Sequence, residues 1–257
     1  MALLELRNVS RFFGKLAALT EVNLEIRENE LVGLVGPNGS GKTTLFNVVS
    51  GFYRPSRGEI RYDGRRITGL RPDRISAMGL VRTFQSNILY KEATVLENLI
   101  RGYHLQARTN LWQAFFGARA YRREEMDIIR QAREALEYWG LTEVSHAPAD
   151  QLPHGHQRIL GLAMAMAADP KLLLLDEPVA GLSGEETREV MEHVRELAER
   201  GITIVLVEHH VKTVLSLCRR LVVLDYGRKI ADGTPEEVTS RKEVIEAYLG
   251  TEEGSAP

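Results

Sequence analysis

The chain has 257 residues, 44% hydrophobic and 26% charged, with a formal net charge of −2, enough to bury a sizeable core and without the positive field that would argue for nucleic acid. Its one cysteine, Cys218, excludes an internal disulfide and, in the apparent helix "VKTVLSLCRR", reads as a small buried hydrophobe in a reducing compartment. No apolar stretch approaches the ~20 residues of a membrane span, and "MALLELRNVSRFF" lacks the apolar core of a signal peptide, so a cytoplasmic chain is expected.

The first third alternates strand-like pieces with turns: "LLELRNVS", "ALTEVNLEIR", "ELVGLVG" and "RGEIRYDGRRI". Val22, Leu24 and Ile26 alternate with polar residues, the period of a half-buried strand. "YDGRR" supplies the Asp-Gly turn of a hairpin. "LVGLVG" is apolar on both faces, as a central parallel strand is. After "GLVRTFQ" the pattern turns helical and amphipathic over 95–145, with Leu96, Leu99, Ile128, Ala132, Leu136 and Trp139 among the apolar positions. "KLLLLDEP" and "GITIVLVE" are two more buried strands, separated by the charged helix "EETREVMEHVRELAER". "RLVVLDYGRKIADG" reads as a hairpin, "PEEVTSRKEVIEAYLG" as one short helix and "TEEGSAP" as a frayed tail. The pattern predicts an α/β core with an antiparallel β layer at the N-terminus and a helical insertion.

"GPNGSGKTT" at 36–44 fits G-x-x-x-x-G-K-[ST], after a strand and opening the helix "KTTLFNVVSG". Gly36, Gly39 and Gly41 allow backbone N–H groups to curl around an anion, and the helix start adds partial positive charge. Pro37, Asn38, Ser40 and Thr44 complete the loop, Lys42 can reach the β- and γ-phosphates, and the Thr43 hydroxyl can ligate Mg²⁺. This is the pattern of a nucleoside triphosphate site.

"LLLLDEP" (172–178) ends a buried strand in two carboxylates, on the usual ligand side of an open α/β sheet. Asp176 is expected to hold Mg²⁺ through water, and Glu177 to polarise the attacking water. "ITIVLVEHH" brings His209 toward the same edge.

This ordered set of motifs resembles the ATP-binding subunit of an ABC transporter over nearly the whole chain. The resemblance implies a P-loop ABC ATPase core, with one domain over 1–257 and a helical subdomain at about 86–165. It implies Mg-ATP hydrolysis. Phe13 in "RFFG" matches the aromatic that stacks on adenine, and Gln85 in "RTFQ" the Q-loop glutamine that links the ATP site to the helical subdomain and adds a Mg²⁺ ligand. "AGLSGEE" occupies the D-loop, and His209 matches the switch histidine on the γ-phosphate.

"LPHGHQR" stands where the family has Leu-Ser-Gly-Gly-Gln, so Pro153, His154 and Gly155 would face the ATP of an opposing subunit. Pro153 replaces a serine, His154 a glycine and His156 the glutamine, while Gly155 is kept; Ser183 replaces the usual D-loop aspartate. His154 and His156 have no carboxylate or cysteine beside them, which counts against a metal site. With "DEPVAGL" and an insertion around 104–126, these departures are similar to the ATPases of branched-chain (hydrophobic) amino-acid importers. Such ATPases pair as homodimers or with a related subunit, beneath two membrane permeases on the inner face of the membrane. A periplasmic or extracellular substrate-binding protein feeds them, and no nucleic acid is involved. An amide or urea importer and a lipopolysaccharide-type export system are the alternatives. "ARTNLWQAFFGARAYRREE" fits a membrane or permease contact and, equally, a packed helical excursion with a solvated basic face.

Overall fold

The computed structural model describes residues 2–83, 89–104, 118–208 and 211–249. Gln85, His209 and residues 105–117 of the insertion around 104–126 lie outside the described residues.

Two sheets carry the strands. The first has the order β2-β1-β4-β5, built from β1 (Ala2–Phe13), β2 (Leu16–Arg27), β4 (Arg57–Tyr62) and β5 (Arg65–Arg66). Its pairs are antiparallel, with Leu4 opposite Ile26 and Tyr62, and Leu6 opposite Leu24 and Ile60. All six side chains are buried, as are Val22, Leu24 and Ile26 along β2, so one face of this sheet is core and the alternation in the sequence is real.

The second sheet has the order β10-β9-β3-β8-β7-β6. Its members are β3 (Leu31–Val35), β6 (Leu80–Thr83), β7 (Leu172–Asp176), β8 (Thr203–Val207), β9 (Arg220–Asp225) and β10 (Arg228–Gly233). β3 runs parallel to β8 and β9, and β7 parallel to β8, while β9 and β10 form an antiparallel hairpin. Every residue of β7 and β8 is buried, as expected of strands covered on both faces.

The chain divides into two compact units. One comprises residues 1–82, 171–177 and 195–257; the other comprises 83–170 and 178–194. In the second, α3 (Val95–His104) packs against α4 (Ala118–Tyr138) and α5 (His154–Met166). Leu99, Ile128, Ala132, Leu136 and Trp139 are buried there, whereas Leu96 is only half-buried. Thr94 and Glu97 start α3 with reciprocal side chain-to-backbone hydrogen bonds of 3.2 and 2.8 Å. The remaining helices are α1 (Lys42–Val49), α2 (Pro72–Ser76), α6 (Gly184–Glu199), α7 (Val211–Leu217), α8 (Pro235–Thr239) and α9 (Lys242–Leu249).

The segment read as one C-terminal helix is two. Thr234 opens α8 with a complete capping box, but the Thr239 and Ser240 hydroxyls turn back onto the carbonyls of Pro235 and Glu237. Such local bonds compete with helix continuation. The carbonyl of Arg241 then accepts from Val244 and Ile245 and starts α9 anew.

Cys218 lies one residue beyond α7, is 3% exposed, and its N–H donates to Val214 O. Burial pushes its thiol up to about 12, so almost no thiolate exists at neutral pH. An aromatic disulfide reagent at pH 8 should leave the folded chain unlabelled and titrate the single thiol only after addition of urea. Rapid labelling of the native protein would contradict the packing.

Candidate functional site

The phosphate-loop motif begins where β3 ends. Gly36 is pressed against β9: a Cβ there would stand 2.1 Å from the carbonyl oxygen of Leu224. Gly41, at φ +104, is the residue before α1, and a Cβ on it would meet the Ala18 carbonyl at 2.7 Å. Neither position admits a side chain. No side chain caps the start of α1, so its first-turn N–H groups remain available to an anion.

Lys42 is 6% exposed, and its Nζ donates to the carbonyls of Gly36 at 2.7 Å and Pro37 at 2.9 Å. Burial pulls its ammonium below the usual lysine value, while the charges of Glu177 and Asp176 push it back up. Ser40 is buried, Thr43 exposed and Thr44 half-buried. Asn38 and Gly39 are exposed.

Asp176 closes β7 and is 5% exposed. Its Oδ2 accepts from Arg82 Nη2 at 2.8 Å, and Arg82 Nη1 donates to Asn47 Oδ1 of α1 at 2.7 Å. Arg82 also lies over the ring of Phe46, 5.6 Å from its centroid. One guanidinium from β6 therefore ties the buried carboxylate to the helix behind the phosphate loop. The next residue, Glu177, is half-buried and takes φ +49, an uncommon conformation for a glutamate. Its N–H donates to Val207 O of β8 at 2.9 Å, which anchors that turn. Glu208, beyond the end of β8, is also buried.

Phe13 ends β1 with 38% of its surface exposed. The Arg11 guanidinium lies over its ring at 4.5 Å, and Tyr53 meets it edge-on at 5.3 Å. Arg11 thus covers one face of the ring, and a planar base can stack only on the other.

The altered signature loop forms the start of α5. Pro153 is its N-cap, with φ −52 and ψ 151, and brings no side-chain cap. The cap comes from Glu186 instead: its Oε1 accepts from Gly155 N–H at 2.9 Å, and its Oε2 from Ser183 N–H at 2.9 Å. Ser183 Oγ accepts from Glu186 N–H at 3.4 Å, so the same carboxylate also closes the start of α6. The backbone N–H of Ser183, then that of Gly155, holds the Glu186 carboxyl below the usual range. Gly155 is buried against this side chain, and a Cβ there would lie 2.9 Å from Glu186 Cγ. His154 is exposed and His156 half-buried. Among the described residues no three His, Cys, Asp or Glu side chains gather as a metal cluster.

Motif reading named Lys42, Asp176 and Glu177 but not Arg82 or Asn47, which carry no motif of their own. Glu186 had a legible signal: Ser183 followed three residues later by a glutamate is a capping-box pattern.

A family model described as ABC transporter matches residues 19–180. The chain belongs to the ABC transporter family. A second model, for the branched-chain amino acid ATP-binding cassette transporter, matches residues 228–254 of this ABC cassette. The cassette is 42% identical over 249 residues to the high-affinity branched-chain amino acid transport ATP-binding protein BraF of Pseudomonas aeruginosa, covering 96% of this chain and 98% of that protein. It superposes on an ATP-binding cassette of an ABC transporter in its ADP conformation with a TM-score of 0.84 at 33% identity, covering 97% and 99% of the two chains. A dimeric bacterial ABC transporter cassette gives a TM-score of 0.75 at 26% identity, covering 90% and 98%. As a member of this family the cassette binds and hydrolyses ATP.

Two outcomes follow from the geometry. Arg82 and Asp176 are 5% and 6% exposed as side chains, and removing one partner of a buried pair costs about 3–5 kcal/mol. Arg82→Met should lose stability on that scale in urea unfolding, and Arg82→Met with Asp176→Leu should recover part of it; equal losses in the two variants would remove the pair as the cause.

Glu186 contributes stability above the unfolded carboxyl pKa of about 4.3, because its folded pKa is depressed. That contribution is lost as pH falls through the folded value. Glu186→Gln should therefore melt below wild type at pH 7, and the gap should close in acid. A gap independent of pH would show that the charge is not what caps the helices.

Proposed function

We propose that this cassette is the ATP-hydrolysing subunit of an importer for branched-chain or other hydrophobic amino acids, and that Glu177 is its general base. The observation that carries the site reading is the charge arrangement at the carboxyl edge of the second sheet. Buried Lys42 lies within the field of Asp176 and Glu177, and Asp176 is fixed by Arg82.

The residues fit a magnesium nucleotide: an uncapped helix start behind a glycine loop, beside a buried carboxylate. Thr43, Gln85 and, through water, Asp176 are proposed to hold Mg²⁺, which with ATP supplies a polarised terminal phosphoryl group. Lys42 exchanges its bonds to the Gly36 and Pro37 carbonyls for phosphate oxygens, which are stronger acceptors for an ammonium. Glu177 takes the proton of the attacking water, and its left-handed turn fixes the direction of the carboxylate. His209 is proposed to contact the γ-phosphate, and Phe13 to stack on adenine through the face that Arg11 leaves open.

The partner reading draws on the dimeric cassette of similar fold. Two copies, or this chain and a related ATPase, would each offer Pro153, His154 and Gly155 to the other's triphosphate. In that role the pair sits on the inner face of the cell membrane, under two permease subunits served by an extracellular or periplasmic binding protein. The substrate class is supported by the transport role named for BraF and by the match of residues 228–254.

A positioned general base is worth about 10²–10⁴-fold in rate. Glu177→Gln should bind ATP like the wild type and lose turnover by that factor, measured as phosphate release beside a binding titration. Turnover near the wild-type rate would assign the base elsewhere. For the substrate, leucine uptake by vesicles carrying the reconstituted transporter should require ATP and stop with Glu177→Gln.

A further inference from the structure

The described side chains proposed for Mg²⁺ come from different elements, Thr43 from α1 and Asp176 from the end of β7. The strand places the backbone of Asp176 but does not set the plane of its carboxylate, because the terminal torsion of an aspartate is broad and roughly two-fold. Some other group has to decide which oxygen faces the site. Arg82, on β6, is in contact with that carboxylate: its Nη2 donates to Asp176 Oδ2 at 2.8 Å, and the two side chains are 5% and 6% exposed.

The guanidinium is itself held. Its Nη1 donates to Asn47 Oδ1 at 2.7 Å, and its carbon lies 5.6 Å from the centroid of the Phe46 ring. Both residues belong to α1, the helix that Lys42 and Thr43 begin. A planar fork tied at two nitrogens cannot turn without breaking one of its bonds. The orientation of the Asp176 carboxylate is therefore referred to the same helix that carries Thr43. Stability alone is a weak reason for such a pair, since apolar side chains of similar volume often do as well as a buried ion pair.

We propose that Arg82 is a positioning residue for magnesium: it holds Asp176 Oδ2, leaves Oδ1 to the metal's water, and keeps that oxygen in register with the Thr43 hydroxyl. This rests on reading Asp176 and Thr43 as the Mg²⁺ side of the nucleotide site. Arg82 acts through Asp176 and touches neither the metal nor the phosphates. Outer partners of this kind orient the groups that hold a metal, and losing one typically costs about 10–100-fold in metal affinity. A carboxylate offers ATP no attraction of its own, since like charges repel. The effect of Arg82 therefore belongs to the metal's share of nucleotide binding, not to the hold on ATP alone.

Two variants test this without changing the charge of the site, as Arg82→Met would. Arg82→Lys keeps the cation but lacks the planar fork that spans Asp176 and Asn47. Asn47→Ala keeps the bond to Asp176 and releases the guanidinium from α1; it alters a half-buried residue and serves if the lysine variant does not fold. The full chain would be titrated with fluorescent N-methylanthraniloyl ATP in Mg²⁺ and again in EDTA, and the ratio of the two affinities taken. In each variant that ratio should fall about 10-fold, the lower end of what an outer partner contributes, with affinity in EDTA near wild type. A wild-type ratio in either variant, or an equal loss with and without Mg²⁺, would overturn the proposal; the latter is what a merely loosened fold produces. Asp176→Asn separates it from the reading beneath it. If Asp176→Asn loses the ratio while Arg82→Lys keeps it, only the positioning role is wrong; if Asp176→Asn keeps it too, the metal is held elsewhere.

Discussion

A buried ammonium needs acceptors and opposite charge to remain an ammonium. Lys42 has both, and the site is arranged around that need. Its Nζ rests on two loop carbonyls, and the carboxylates of Asp176 and Glu177 act on it from the end of β7. Asp176, at 5% exposure, accepts a hydrogen bond from Arg82, which also fastens Asn47 on α1. The chain of dependence runs from strand β6 through the guanidinium to the carboxylate and on to the helix that the loop opens. Parallel strands β3, β8 and β7 make this possible, because they deliver their carboxyl ends to one edge.

Two helix starts show how differently the same physics can be used. At α1 no side chain takes the first-turn N–H groups, and glycine makes the approach. At α5 the cap residue is a proline, and the Gly155 N–H is already spent on Glu186. A helix N-terminus favours negative charge wherever it comes from. In the proposed pairing, a partner's phosphate and the Glu186 carboxylate would compete for one donor and repel each other while doing so. Contact through Gly155 requires Glu186 to yield; contact through neighbouring N–H groups does not. The family's serine would bring a hydroxyl to this position, and Pro153 brings none, which makes the backbone donors matter more here.

Much of this was legible in the sequence, for identifiable reasons. The alternation of Val22, Leu24 and Ile26 reports a sheet with one buried face, because period-2 patterns have few other causes. "GPNGSGKTT" and "LLLLDEP" report the site because glycine, lysine and paired carboxylates at a strand end serve few other purposes together. Arg82 was not legible, since a lone arginine in "GLVRTFQ" gives no sign that it points at Asp176, 94 positions along the chain. The break in the C-terminal helix was hidden because helix formers stand on either side of Val238–Ser240, Glu236 and Glu237 before it and Arg241, Lys242 and Glu243 after it. It depends on hydroxyls that turn onto their own backbone, a choice that composition does not announce. Gln85, which rests on resemblance, and His209, which rests on the strand "ITIVLVEHH" as well, lie outside the described residues.

The C-terminal end shows why a cassette needs more than its motifs. A phosphate loop binds with backbone N–H groups, and backbone groups have no side chain by which to be held in place. Their geometry must come from what surrounds the loop: here the Leu224 carbonyl and the Gly227 N–H. Each of these comes from residues after β8, far in sequence from residues 36–44. The loop can be read from nine residues, but its shape depends on a hairpin that carries no phosphate chemistry. Any ordering that these contacts supply beforehand is ordering that a nucleotide does not have to impose when it binds.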